Sequence, residues 1–147
     1  MRAKNNDTVK FLESETPIKI RFGETDAMGV VWHGNYLKYF EDAREAFGIK
    51  FGLTYLDVYS NGYFIPIVKT ELEHKTPLLY GESAFVRARQ LYTPAAKIIF
   101  QYEIFNAETS KLCTSGTTIQ IFMNSASREL ELTKPKFYKD WEREVGW

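Results

Sequence analysis

Gly23–Arg44 reads GETDAMGVVWHGNYLKYFEDAR, a run that holds an acid, a glycine turn, a histidine and a helix start in that order. Asp26 lies in a short polar loop, Gly29 lets the chain turn sharply, and His33-Gly34-Asn35 leads into an amphipathic segment whose first amides would find no partner within the helix. Upstream, Ile18, Ile20 and Phe22 alternate with Lys19 and Arg21, the period of a half-buried strand that is expected to end at Gly23. Downstream, Leu37, Phe40, Ala43 and Phe47 recur every three or four residues, with Lys38, Glu41, Asp42 and Glu45 on the opposite side. The spacing predicts one helix from about Asn35, closed by Gly48 as a left-handed cap.

Beyond a Tyr- and Gly-rich loop over 52–63, four more segments alternate with the two-residue period of strands. In the first, Val68, Thr70, Leu72 and His74 form one face, expected to be buried, and Lys69, Glu71, Glu73 and Lys75 the other. Ala84, Val86 and Ala88 mark the second, Ile98 through Ile104 the third, and Leu112 through Met123 the fourth. Turn signals stand between them at Pro77 and Gly81, at Thr93-Pro94 and from Asn106 to Ser110. Strand, helix, then four hairpin-connected strands predicts an α+β fold in which an antiparallel sheet curls around one helix. The whole chain, 1–147, is expected to form a single domain. Its core would span about 16–124, with 1–15 a loosely ordered arm and 125–147 a tail, in which Phe137, Trp141 and Val145 suggest either a short packed helix or disorder.

Composition narrows the function. A chain of 147 residues that is 44% hydrophobic and 16% aromatic can bury a core. Nineteen Lys and Arg balance nineteen Asp and Glu, so no basic field is expected to gather nucleic acid. Apolar runs fall well short of the roughly 20 residues of a membrane span, and MRAKNNDTVK lacks the apolar centre of a signal peptide, so the expected location is the cytoplasm. The single cysteine, Cys113, has no internal disulfide partner, and the two histidines are far apart. No metal site is expected.

The chemistry-bearing residues gather in the opening run. Amides at a helix start stabilise an oxygen that becomes anionic when an acyl carbonyl is attacked, and those near His33 and Gly34 have that placement. A glycine at position 34 would let a substrate approach the backbone, and Asp26 could serve as nucleophile or as the base that activates water. Each also has a plainer role: Asp26 as a turn former, His33 as a loop-fixing polar group, Trp32 and Tyr36 as core or interface aromatics. Glu41 and Arg44 would be a solvated or interfacial pair, His74 a satisfied buried histidine, and Cys113 a small buried hydrophobe.

Taken together, Glu24-Thr25-Asp26, Gly29-Val30-Val31, Trp32-His33-Gly34-Asn35-Tyr36, Phe40-Glu41 and Ala43-Arg44 resemble the 4-hydroxybenzoyl-CoA thioesterase family of hotdog-fold proteins, in its YbgC-like branch. The resemblance is close over 18–44 and looser through Thr76-Pro77, Gly81-Glu82 and the strands to about 123. It implies a hotdog fold, with five antiparallel strands wrapped around a long helix, and a homodimer or tetramer whose cleft two subunits share. It further implies hydrolysis of acyl-CoA or acyl-carrier-protein thioesters without a cofactor. Asp26 would be the catalytic carboxylate, and His33 would lend its amide to the thioester carbonyl. Trp32, Gly34, Asn35 and a partner-subunit strand around Val68 would contact the substrate. Departures are Phe22 for Tyr, Glu24 for Asp, Trp32 for Tyr and Gly34 for Ala. Two rival functions are a hotdog 3-hydroxyacyl-thioester dehydratase or hydratase recruiting His33 and Glu41, and a non-catalytic acyl-thioester binding module.

Overall fold

A computed structural model describes residues 9–147 of the chain. Strand β1 (Phe11–Lys19) is followed by helix α1 (Tyr36–Phe51), a short helix α2 (Tyr55–Ser60) and strand β2 (Tyr63–Phe64). Strands β3 (Ile67–His74), β4 (Ser83–Leu91), β5 (Lys97–Asn106), β6 (Leu112–Ile121) and β7 (Met123–Asn124) come next, and helix α3 (Lys136–Glu144) completes the order. The main sheet runs β1-β4-β5-β6-β3, every pairing antiparallel, with β2 and β7 as a separate two-stranded ribbon. A five-stranded antiparallel sheet with one long helix against it is the arrangement expected from the sequence.

Alternation decides which face meets the helix. Ala84, Val86 and Ala88 on β4 and Ile98, Phe100, Tyr102 and Ile104 on β5 are buried, opposite Phe40, Ala43 and Phe47 of α1. Phe40 stacks on Tyr102 with ring centroids 4.2 Å apart. Gly116, mid-β6, makes room for this contact: a methyl group there would lie 2.5 Å from the Phe40 ring and 2.8 Å from the Glu71 carbonyl oxygen. A glycine inside a strand commonly marks such a close approach.

Several boundaries differ from the sequence expectations. The sheet starts at Phe11, so 11–15 belong to β1 rather than to an arm; the arm's residues 1–8 lie outside the described residues. β1 ends at Lys19, and Phe22 stands exposed in a 3-10 turn instead of continuing the strand. Helix α1 runs through Gly48 and ends at Gly52, whose φ of 77° supplies the left-handed cap. Gly48 is small for another reason, since a Cβ there would meet the Leu53 carbonyl oxygen at 2.6 Å. The supposed loop after α1 contains α2, where Thr54 Oγ1 accepts from the Asp57 amide (3.2 Å) and Asp57 Oδ2 accepts from the Thr54 amide (2.8 Å).

β3 is an edge strand whose residues are exposed on both faces except for a half-buried Leu72, so the expected buried face is not covered within the chain. His74 is likewise exposed rather than buried, although its Nδ1 lies 3.2 Å from Thr114 Oγ1 and its ring packs on Tyr36. Cys113 is buried as expected, and burial pushes its thiol pKa up. The tail is ordered: α3 packs Tyr138 and Trp141 into the core, and Trp141 Nε1 donates to the Phe51 carbonyl at 2.7 Å.

Candidate active site

After β1 the chain is steered by Ile20, almost fully buried, whose amide donates to the Glu82 carbonyl (3.1 Å). The next residues tighten into a 3-10 turn, in which Glu24 Oε1 accepts from the Arg21 amide at 2.8 Å. Thr25 bridges Val31, the Asp26 amide donates to the Val30 carbonyl (2.8 Å), and Gly29, with φ 79°, takes the bend between them. Val31 donates onward to the Leu78 carbonyl at 2.8 Å, which ties this small loop to the segment following β3.

Glu24 is the knot that joins loop and helix. Its carbonyl accepts from the Trp32 amide (3.0 Å) and from Asn35 Nδ2 (2.8 Å), while its carboxylate also accepts from the Tyr39 hydroxyl (3.0 Å). Burial first, and the neighbouring Glu24 second, push the Tyr39 pKa well above that of a free phenol, so the hydroxyl keeps the proton it donates. Sequence reasoning noted Glu24 only as part of a motif and missed Tyr39 altogether. The spacing of Tyr39 is that of a core residue, and nothing along the chain announces its hydroxyl's partner.

Asp26 sits half-buried in the loop, with Oδ1 accepting from the Met28 amide at 2.8 Å; no hydrogen bond to Oδ2 is found among the described residues. Asp26 therefore forms the turn expected of an acid in this setting and still presents a free carboxylate oxygen. A 3-10 turn, His33–Asn35, precedes α1, and the Asn35 amide closes it on the Trp32 carbonyl at 2.9 Å. The amides of His33 and Gly34, two and one positions earlier, donate to no protein acceptor among the described residues. Such amides at a helix start are ready donors to an oxygen carrying negative charge.

The remaining expected residues fall in different places. His33 is exposed, its ring packed at 4.8 Å against that of Trp32. Trp32 is 51% exposed and folds over Gly34, where a Cβ would come within 2.1 Å of the indole. The glycine therefore admits the neighbouring indole on that side, not a substrate. Asn35 uses its side-chain amide to hold Glu24, which makes it a clasp of the corner. Val68 is 55% exposed near the start of β3, six residues and roughly 20 Å of strand from His74 at the end beside the corner. Arg44 does not pair with Glu41 as its spacing suggested; it donates from Nη1 to the Tyr102 hydroxyl (3.0 Å), which lies 2.8 Å from Thr118 Oγ1.

Residues 20–141 match the model of the thioesterase-like superfamily. A Bacillus subtilis (strain 168) protein named "Putative acyl-CoA thioesterase YneP" is 32% identical over 128 residues, 87% of this chain and 91% of its own length. The DHNA-CoA thioesterase from Staphylococcus aureus superposes with a TM-score of 0.81 at 31% identity, covering 90% of this chain and 88% of that one. A 4-hydroxybenzoyl-CoA thioesterase bound to 4-hydroxybenzoyl-CoA shares the fold, with a TM-score of 0.76 at 18% identity over 88% of this chain and 97% of its own.

Proposed function

The chain belongs to the thioesterase-like superfamily and is a thioester hydrolase; from that premise we propose that it cleaves acyl-CoA esters at the corner built by Asp26 and the His33–Gly34 amides. The observation that carries this reading is the pairing of a carboxylate having one free oxygen with two unpartnered amides at a helix start. The acyl carbonyl would accept from those amides, which polarise it and stabilise the oxyanion as the tetrahedral intermediate forms. Asp26 would supply the attacking oxygen, either its own or that of a water from which it takes a proton, and the thiol would leave on collapse. Glu24, Tyr39 and Asn35 act by holding the turn. Trp32, folded over Gly34, would form the wall beside the carbonyl.

A homo-oligomer fits this corner. β3 presents a free backbone edge with Ile67 and Val68 exposed, and an edge of that length invites pairing with a second copy about a two-fold axis. Antiparallel pairing of two β3 strands would bring Val68 of the partner subunit toward the His74 end of the first, where the corner lies. Among the described residues no helix is long and apolar enough to cross a membrane, and a cytoplasmic location suits a CoA-dependent hydrolase.

Free-thiol release from a panel of acyl-CoA esters tests the proposal, with Asp26→Asn beside wild type at matched oligomeric state. The variant should lose about a hundredfold or more in kcat/KM, roughly 3 kcal/mol of transition-state stabilisation. A loss of tenfold or less would reduce Asp26 to an orienting role. Release from no CoA ester would move the carrier to acyl carrier protein.

A further inference from the structure

A cavity of about 570 Å³ lies under α2, away from the corner. The sheet closes it with Ile98 and Phe100, and Phe47, Leu53, Val58 and Trp141 form its apolar walls. Three of the polar side chains at its border are turned to partners of their own, and the exposed carboxylates of Glu41 and Glu45 stand at its α1 rim. Gln90 Nε2 donates to the Tyr138 hydroxyl (2.8 Å), Gln120 Nε2 to the Ile65 carbonyl (2.9 Å) and Arg44 Nη1 to the Tyr102 hydroxyl (3.0 Å). With the two amides and the guanidinium engaged and the carboxylates at the solvent-facing rim, the interior meets a ligand through apolar contact, and its volume is that of a small-molecule site.

Its position on the helix connects it to the corner. The α1 side of the cavity carries Glu41, Arg44 and Gly48. At 3.6 residues per turn, Gly34, Leu37, Glu41, Arg44 and Gly48 fall along one flank of the helix. The free amides and the cavity therefore stand on the same flank of α1, the amides in the turn before its start and the cavity from Glu41 onward. Glu41 and Arg44 lie seven and ten residues beyond Gly34, about 10 and 15 Å along the axis. An extended carbon chain advances about 1.2 Å per bond, judged from the span of a stretched backbone. Starting at a carbonyl held by the His33 and Gly34 amides, such a chain meets the cavity rim after about nine bonds and is inside it after about twelve.

We infer that this cavity receives the distal end of a straight aliphatic acyl chain, so that the preferred substrates are acyl thioesters of about ten or more carbons. The inference rests on the carbonyl position proposed above. A single-ring aromatic acyl group spans only the first few ångströms of that flank and leaves the cavity unused. Within the cavity each added methylene should raise kcat/KM by as much as about fourfold, the ratio that corresponds to complete transfer of one methylene from water.

The test is the kcat/KM profile for butyryl-, octanoyl-, dodecanoyl- and benzoyl-CoA in wild type and in Val58→Trp, which puts an indole into the cavity from α2. Leu53→Phe, at a half-buried wall position, replaces it if near-UV circular dichroism shows Val58→Trp unfolded. Wild type should show its steepest rise between octanoyl and dodecanoyl, and the filled variant should lower the dodecanoyl-to-butyryl ratio by at least tenfold. A flat wild-type profile beyond octanoyl, a preference for benzoyl-CoA, or a ratio unchanged in the folded variant would overturn the inference while leaving thioester hydrolysis intact. Absence of turnover with every CoA ester would instead bear on the carrier proposed above. Calorimetry with the non-hydrolysable thioethers dodecyl-CoA and butyl-CoA then decides the cavity separately: tighter binding of the dodecyl compound, lost in the filled variant, supports it, and equal binding refutes it.

Discussion

Replacing Gly34 by alanine would place a methyl group inside the volume of the Trp32 indole. The new Cβ would stand 2.1 Å from Cζ3, 2.5 Å from Cη2 and 2.7 Å from Cε3 of that ring. Ordinary carbon contacts begin near 3.5 Å, so the indole must retreat by roughly 1.5 Å or leave. A covered aromatic side chain buries roughly 150–250 Å², and Trp32 is about half covered. At ~25 cal/mol per Å², complete loss of that cover costs about 2–3 kcal/mol, an upper bound because the displaced ring finds other contacts. Helix propensity favours alanine over glycine by less than this, so the substitution should destabilise the protein by about 1–2 kcal/mol. Because the same turn carries the two free amides, a displacement of an ångström there should lower kcat/KM by about tenfold to a hundredfold. The assay is a double-mutant cycle of Gly34→Ala with Trp32→Ala, read by urea unfolding and by thiol release. With the indole gone, Gly34→Ala should cost less than about 0.5 kcal/mol, giving a coupling above the additive error of distant sites. Equal costs in the two backgrounds would refute the argument that Gly34 is small to admit Trp32.

Two further predictions concern the frame. Gly116→Ala forces a Cβ against the Phe40 ring and the Glu71 carbonyl, neither free to move; overpacking of about 1–3 kcal/mol should lower Tm by roughly 3–10 °C, and an unchanged melt would contradict the close packing of α1 on β6. Burial pushes the pKa values of Tyr36, Tyr39, Tyr102 and Tyr138 upward. The unfolded chain therefore loses these phenolic protons near pH 10 while the fold still holds them, and stability that is complete below pH 10 should fall as pH rises toward the folded-state values. Urea midpoints measured from pH 8 to 11 should be level at first and then drop, more gently in Tyr138→Phe; a constant midpoint would sink the idea.

Trp32 and Gly34 also show where reading along the chain stops. The sequence by itself determined the order of strand, helix and four strands, because the two periods of 2 and 3.6 residues are local properties of backbone geometry. The residues of the candidate corner were legible too, since an acid, a glycine turn and a helix start are adjacent in the chain. The Thr54–Asp57 capping box is legible as well, but six residues are too few for α2 to show a period. Other matters had no local signature. Gly48 and Gly52 both suit a helix end, and Leu53 folding back on Gly48 decides between them. β3 has the alternation of a two-faced strand, yet alternation cannot say whether a face is covered by this chain or by another copy. The Glu24 clasp, the indole over Gly34 and the cavity under α2 were decided only by tertiary structure. The clasp and the cavity depend on side chains from separate elements meeting in space, the indole's place over Gly34 on the fold of one turn, and packing energy is set by those distances and volumes, which sequence spacing does not encode.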